Sequence, residues 1–347
     1  LSMTKYYCIL LSFLATFILV PVLRIIAFRL KILDKPDHQR KIHASAVPVF
    51  GGIAIFIGVL VGLFCAGNSQ EYLTPYLIAS SVVLFFGLIN DIRPLSAPCR
   101  FVCQLMAAVF VIIFGARINF VPIGLWKDPI EIIITLIWII GVTNAFNYLD
   151  GLDGLAAGSA VINTFFFGLI FYLTRQQELL VFSGILIAAC LGFLPYNFNK
   201  NKKMFLGDAG STFLGFTLAC VSLVGNWAEN SIVKISIPIL ILGVPIFDMS
   251  FTTIMRIKEK KVSTILEWLR YADRDRFHHY LVDIGLGNTG ATLFIYWVSV
   301  SLGISALMVS NSPVRDAFLS LAQAIIIFGI IATLIVLCVK RDKASYV

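Results

Sequence analysis

Eleven runs of apolar residues divide the chain, at roughly 6–28, 49–66, 73–89, 101–116, 130–146, 155–173, 179–194, 211–226, 232–254, 291–309 and 317–339. Each is long enough, or nearly so, for a helix to cross about 30 Å of hydrocarbon. Between them lie short polar connections in which Gly, Pro, Asn and Asp interrupt the pattern, as helix ends do. There is no internal repeat and no low-complexity tract. The pattern predicts an all-α, polytopic membrane protein of about 11 transmembrane helices forming one domain over 1–347. The first run is longer than the apolar region of a signal peptide, and no small-residue cleavage site follows it, so it is read as a span.

The alternation of basic residues orients these spans. All but six of the 27 lysines and arginines lie after runs 1, 3, 5, 7 and 9, in the C-terminal tail, or at Arg24; the six are Lys5, Arg117, Lys127, Arg175, Lys234 and Arg315. By the positive-inside rule the N-terminus is external and the C-terminus cytoplasmic. Composition agrees with a membrane assignment: 59% of residues are hydrophobic and 13% charged, with a mean hydropathy of +0.91, whereas a soluble domain carries about 25% charge. The net charge of +8 is then mainly a feature of the cytoplasmic face, suited to anionic lipid or an anionic substrate. No basic helix interleaved with aromatics points to nucleic acid. The seven cysteines are scattered, mostly within apolar runs, and read as packing residues.

With this topology the chemically rich connections share one face. They are 29–48 with "KPDHQRKIHASAVPVFGG" following Lys31, 90–100 ("NDIRPLSAPCR"), 144–154 ("NAFNYLDGLDG"), 196–211 ("YNFNKNKKMFLGDAGS") and 256–290 with "DRDRFHHY". Asn144, Asn147, Asp150 and Asp153 recur every third residue, so on a helix successive members shift by about 60° and lie close together. Gly151 and Gly154 are expected to stop the helix just after Asp150 and leave Asp153 on a turn. Carboxylates and amides at a membrane surface form a hard-oxygen set suited to Mg²⁺ with phosphate and water; a solvated helix stop is the alternative. Asp208, between Gly207 and Ala209-Gly210, reads either as a helix N-cap or as a metal ligand beside backbone that a phosphate can approach. Arg93, Arg100, Arg274 and Arg276 could hold a diphosphate, and His278 and His279 could bind phosphate or move a proton. Arg40, Lys41 and His43 precede another glycine-bearing helix entry. Plain positive-inside loops remain the alternative for these sets. Asp248 stands apart, about 12 Å along a helix from Arg256, where an acid needs an interior partner.

Taken together, "RKIHASAVPVFGG", the pair at 90–91, "NAFNYLDGLDGLAAG", "FLGDAGSTFLGF" and "DRDRFHHYL" resemble the polyprenyl-phosphate N-acetylhexosamine-1-phosphate transferases. The likeness runs from about residue 30 to 285 with the motifs in order. The paired His278-His279 looks like the WecA/TagO branch; the related MraY branch typically carries three histidines. The resemblance implies a bacterial inner-membrane enzyme that works on the cytoplasmic face. It would move N-acetylhexosamine-1-phosphate, GlcNAc-1-phosphate first among donors, from a UDP-sugar to undecaprenyl phosphate, with UMP leaving. The product would feed an envelope glycan such as O-antigen or teichoic acid.

By position it implies Asp208 and Asn147 as ligands of Mg²⁺, or of Mn²⁺. Asn90, Asp91, Asp150 and Asp153 become catalytic candidates. Asn144, Lys41, His43, Arg93, Arg100, Arg274, Arg276, His278 and His279 become substrate-binding candidates. It also implies a homodimer as an option. One departure stands out: the family usually has Asp-Asp where this chain has Asn90-Asp91, and an amide cannot serve as a carboxylate base. Rival readings are another UDP-N-acetylhexosamine donor, a transporter or flippase of anionic lipid, and a binding protein without turnover.

Overall fold

The computed structural model describes residues 3–34, 46–67, 72–120, 124, 126–264, 267–268, 271 and 275–345. Each of the eleven apolar runs is helical. In chain order they form α1 (Met3–Leu30), α2 (Gly51–Ala66), α3 (Thr74–Ile92), α4 (Ala97–Ile113), α5 (Lys127–Leu149), α6 (Leu155–Leu173), α7 (Gln177–Asn197) and α8 (Gly207–Val224). After these come α9 (Ser231–Ile241), α10 (Gly243–Lys258), the short α11 (Phe277–Leu281), α12 (Gly287–Val309) and α13 (Val314–Ser345). Two departures from an all-helical chain are small. Leu33–Asp34 (β1) and Val47–Pro48 (β2) pair antiparallel, and a π-turn at Val282–Leu286 joins α11 to α12.

Among the described residues eight helical segments, with α11 and α12 taken as one, are long and apolar enough to cross a membrane, and the bent α9–α10 pair makes a ninth if it is counted as one span. α2 and α4 are shorter apolar helices. The ninth run was expected to be one span, but it is broken by 74° between Ile241 and Gly243. Pro245 has no N–H to offer the carbonyl of Ile241, and Gly243 is a weak helix former at the same place, so the ladder parts there.

α8 is the axis of the molecule. It packs against α3 and α5 and also touches α2 and α6, and every residue from Ala209 to Ser222 is buried. A helix apolar on all sides belongs in the interior, and Gly210, Ser211, Gly215 and Ala219 keep its surface low enough for neighbours to approach closely. α1 and α13 lie at the periphery, each with only 17% of its spanning window buried. Their outward Ile18, Ile25, Phe318 and Ile325 form a surface that suits lipid.

Candidate active site

The site is organised by the first turn of α8. The chain enters that turn through backbone pairing with the segment before α2. Phe205 N–H donates to Pro48 O (2.8 Å), Gly51 N–H to Phe205 O (3.0 Å) and Gly52 N–H to Leu206 O (2.9 Å). Gly207 then takes a left-handed φ of +78°, and a Cβ there would stand 2.7 Å from both Asp91 Oδ2 and Val49 O. Only glycine fits. The free N–H groups of the new helix are met from another helix: Asp208 N–H donates to Asp91 Oδ1 (2.8 Å) and Ala209 N–H to Asp91 Oδ2 (3.0 Å). Asp91 therefore does the work of an N-cap from the end of α3. Asp208, read from sequence as a cap or a ligand, is left free of the capping role.

The Asp208 carboxylate turns into a cleft with 35% of its side chain exposed. Asn90 Nδ2 donates to Oδ2, Asn147 Nδ2 to Oδ1 (2.8 Å), and the Arg100 guanidinium lies 3.7 Å from Oδ2. Asn90 is fixed from behind, its Oδ1 accepting from Leu95 N–H at 2.8 Å. Asn144 faces the same cleft and donates to Gln104 Oε1 (2.7 Å). The cleft encloses about 720 Å³ including its open mouth. Its polar end is Asn90, Arg100, Asn147 and Asp208, and Val83, Phe86 and Phe101 give it an apolar wall.

Beside the cleft, α5 stops at Leu149 and Asp150 closes it, as the glycines foretold. Gly154 holds the following turn with φ +76° and donates its N–H to Asn197 Oδ1 (2.6 Å). Burial pushes the Asp150 carboxyl up to about 7, the nearby Asp208 charge adds to this, and Arg276 opposes it. Asp153 points elsewhere and pairs with Lys203 at 2.6 Å.

The segment after α10 is anchored from inside. Arg256, almost wholly buried, holds Asp275 through two bonds of 2.8 and 2.7 Å. Arg276 donates to Tyr148 O (2.9 Å) and lies over the Tyr148 ring. His278 is fully buried, with Nδ1 3.5 Å from Asp248 Oδ2, and its ring packs on that of His279 at 4.3 Å between centroids.

Of the residues singled out from sequence, Asn90, Arg100, Asn144, Asn147 and Asp208 line one cleft, with Asp150 at its edge. Asp91 lies behind the helix start, Arg93 is exposed beyond it, and His278 sits beneath the acidic turn. Lys41, His43 and Arg274 lie outside the described residues. Sequence reasoning missed Gln104, Tyr148 and Trp268 in the cleft wall and Lys203 on Asp153. Gln104 alone left a trace, a lone amide inside an apolar run. The glycines around Asp208 also serve differently from the phosphate approach expected of them: Gly207 admits Asp91, and Gly210 admits Gly52.

Among the described residues no three His, Cys, Asp or Glu side chains converge on a metal position. The oxygen donors within reach are the Asp208 carboxylate and the carboxamide of Asn147, which can turn its oxygen inward, whereas the Asn90 oxygen is held by Leu95 N–H. One acid with one amide fits a hard cation whose remaining shell is water and phosphate.

Residues 73–226, from the start of α3 to just past α8, match the profile of Glycosyl transferase family 4. The chain is 34% identical over 327 residues to a probable undecaprenyl-phosphate N-acetylglucosaminyl 1-phosphate transferase of Bacillus subtilis, spanning 92% of this chain and 89% of the relative. It is 29% identical over 355 residues to the decaprenyl-phosphate N-acetylglucosaminephosphotransferase of Mycobacterium tuberculosis, spanning 92% and 85%. It is 25% identical over 339 residues to the undecaprenyl-phosphate alpha-N-acetylglucosaminyl 1-phosphate transferase of Escherichia coli, spanning 95% and 89%. The matched segment carries every side chain that surrounds Asp208, and the likeness extends over nearly the whole chain: it belongs to glycosyl transferase family 4, among the polyprenyl-phosphate N-acetylhexosamine-1-phosphate transferases.

Proposed function

We propose that the chain transfers N-acetylglucosamine-1-phosphate from its UDP derivative to undecaprenyl phosphate, on the cytoplasmic side of a bacterial inner membrane that all eleven apolar segments enter. The observation that carries this reading is the cleft itself, with a carboxylate, a guanidinium and amides at one end and an apolar wall below. A lipid phosphate matches that polarity, its head at Arg100 and its tail along Val83, Phe86 and Phe101. The names of the relatives supply the same acceptor and sugar.

An oxygen of the acceptor phosphate attacks the β-phosphorus of the UDP-sugar. The bond from that phosphorus to the bridging oxygen of UMP breaks, and UMP departs with the electron pair. Arg100 balances phosphate charge, and the carboxamides of Asn90, Asn144 and Asn147 orient the reactants. Asp208 and Asn147 would hold Mg²⁺, which when bound neutralises diphosphate charge. A phosphate monoester with its second pKa near 6 is mostly dianionic at pH 7. Asn90 in place of an acid is therefore compatible with turnover.

The test is UMP release by the purified protein in detergent, with undecaprenyl phosphate, Mg²⁺ and single UDP-sugars. Release that needs both lipid and metal, with UDP-GlcNAc preferred, is expected; release from another UDP-N-acetylhexosamine alone would replace the donor, and none from any would sink the reading. In the same assay Asn90→Asp should raise turnover at mildly acidic pH, and a flat comparison from about pH 5.5 to 8 removes the base argument.

The Asp150 carboxyl gives a second expectation. Titrating at about 7, it is about half protonated at pH 7, and a cation in the cleft favours its charged form. Mg²⁺ binding should therefore release a fraction of a proton at pH 7 and tighten as pH rises through that value. Proton release measured with a pH indicator should be smaller in Asp150→Asn.

A further inference from the structure

The buried pair Asp248 and His278 is a strongly polar contact near the cleft that the chemistry above leaves unused. Both side chains are fully buried. Asp248 Oδ1 accepts from Phe277 N–H (2.9 Å), the first backbone donor of α11, and from Thr252 Oγ1 (3.3 Å). Oδ2 has no hydrogen-bond partner at normal length and faces His278 Nδ1 at 3.5 Å. The other ring nitrogen, Nε2, is also buried without a partner among the described residues. It is aimed at the acidic turn: a Cβ on Gly151 would lie 2.0 Å from it. Gly151 is the residue between Asp150 and Leu152, so its missing side chain is the space the imidazole occupies.

We infer that Asp248 is a positioning residue: it fixes the hydrogen of His278 on Nδ1 and so presents Nε2, as an acceptor in the neutral ring, to the Asp150–Asp153 turn. An imidazole with Nδ1–H pointing at a carboxylate has its lone pair on Nε2. Asp248 lies on α10, which packs against α11, so the acid and the imidazole meet between these two helices. The consequence for the reaction rests on the transferase reading above, with Nε2 bearing on the turn that flanks the donor diphosphate.

The substitution Asp248→Asn separates this from a structural role. The amide oxygen still accepts from Phe277 N–H and Thr252, so the start of α11 stays capped. The atom facing Nδ1 becomes an NH₂ donor, and the ring hydrogen is driven to Nε2. ¹⁵N spectra of histidine-labelled protein in detergent, with His278 assigned through His278→Gln among the 4 histidines, should show hydrogen on Nδ1 in the wild type and on Nε2 in Asp248→Asn. An unchanged His278 signal overturns the inference. In UMP release, kcat should fall about 10–100-fold, the range for loss of a carboxylate that orients a histidine, with KM for the sugar nucleotide little altered. The double variant Asp248→Asn/His278→Gln should be no slower than His278→Gln alone. Losses that multiply would show that Asp248 acts by another route. If the wild type releases no UMP, the transferase reading fails while the spectra still decide the pairing.

Discussion

Replacing Asp208 by Asn should lower UMP release on the order of 10³-fold, about 4 kcal/mol of transition-state stabilisation, and leave the fold in place. The two effects separate because of where the carboxylate sits. It takes no part in capping α8, since Asp91 receives those backbone donors, so the helix keeps its start. Loss of a first-turn negative charge costs only about 0.3–1 kcal/mol. What disappears is the anion on which Asn90, Asn147 and Arg100 converge. The variant should elute as the wild type does, melt within a few degrees of it, and show no Mg²⁺-linked change. Retention of a tenth of the activity or more would move the metal and the diphosphate away from Asp208. Asp153→Asn is a useful companion, because Asp153 is turned to Lys203 and its loss should be much milder.

Gly52→Ala should do the reverse and remove the fold with the activity. A Cβ on Gly52 would lie 2.3 Å from both the nitrogen and the Cα of Gly210, so the obstacle is backbone that cannot rotate away. Overpacking of a tight core costs about 1–3 kcal/mol where side chains can adjust; here the cost should reach about 3 kcal/mol or more. The same turn of α8 is gripped from α3, where a Cβ on Gly87 would stand 2.6 Å from Ala209 Cα. Thermal unfolding in detergent should show a markedly lower midpoint for Gly52→Ala, with Gly329→Ala as control, since a methyl there meets nothing within 4 Å. An unchanged midpoint would mean that α2 and α8 are not in contact as described.

The extent to which sequence foretold this site follows from physics. Apolar runs declare helices because lipid and core both demand them, and all eleven did so. The acidic helix stop after Leu149 was visible because glycine and aspartate end helices by local chemistry. The break near Leu242 was hidden: proline inside an apolar run signals a kink, yet its angle depends on what α10 packs against. The separation of Asn90 from Asp91 was equally hidden. Adjacent residues on a helix point about 100° apart, and only the position of α8 decides that one faces the cleft and the other the backbone of Asp208. Asp248 announced itself by depth alone, and its partner His278, 30 positions along the chain, could be named only once α11 was placed.

The cap on α8 has a consequence for how the protein is made. Asp91 and the backbone N–H of Asp208 are 117 residues apart, so four more helices, α4 to α7, and the first turn of α8 must leave the ribosome after α3 before the pair can form. Through that interval the nascent chain carries Asp91, Gly52 and Gly87 around a place that nothing yet fills. Insertion of α8 is then the event that turns a set of separately inserted hairpins into an assembled site.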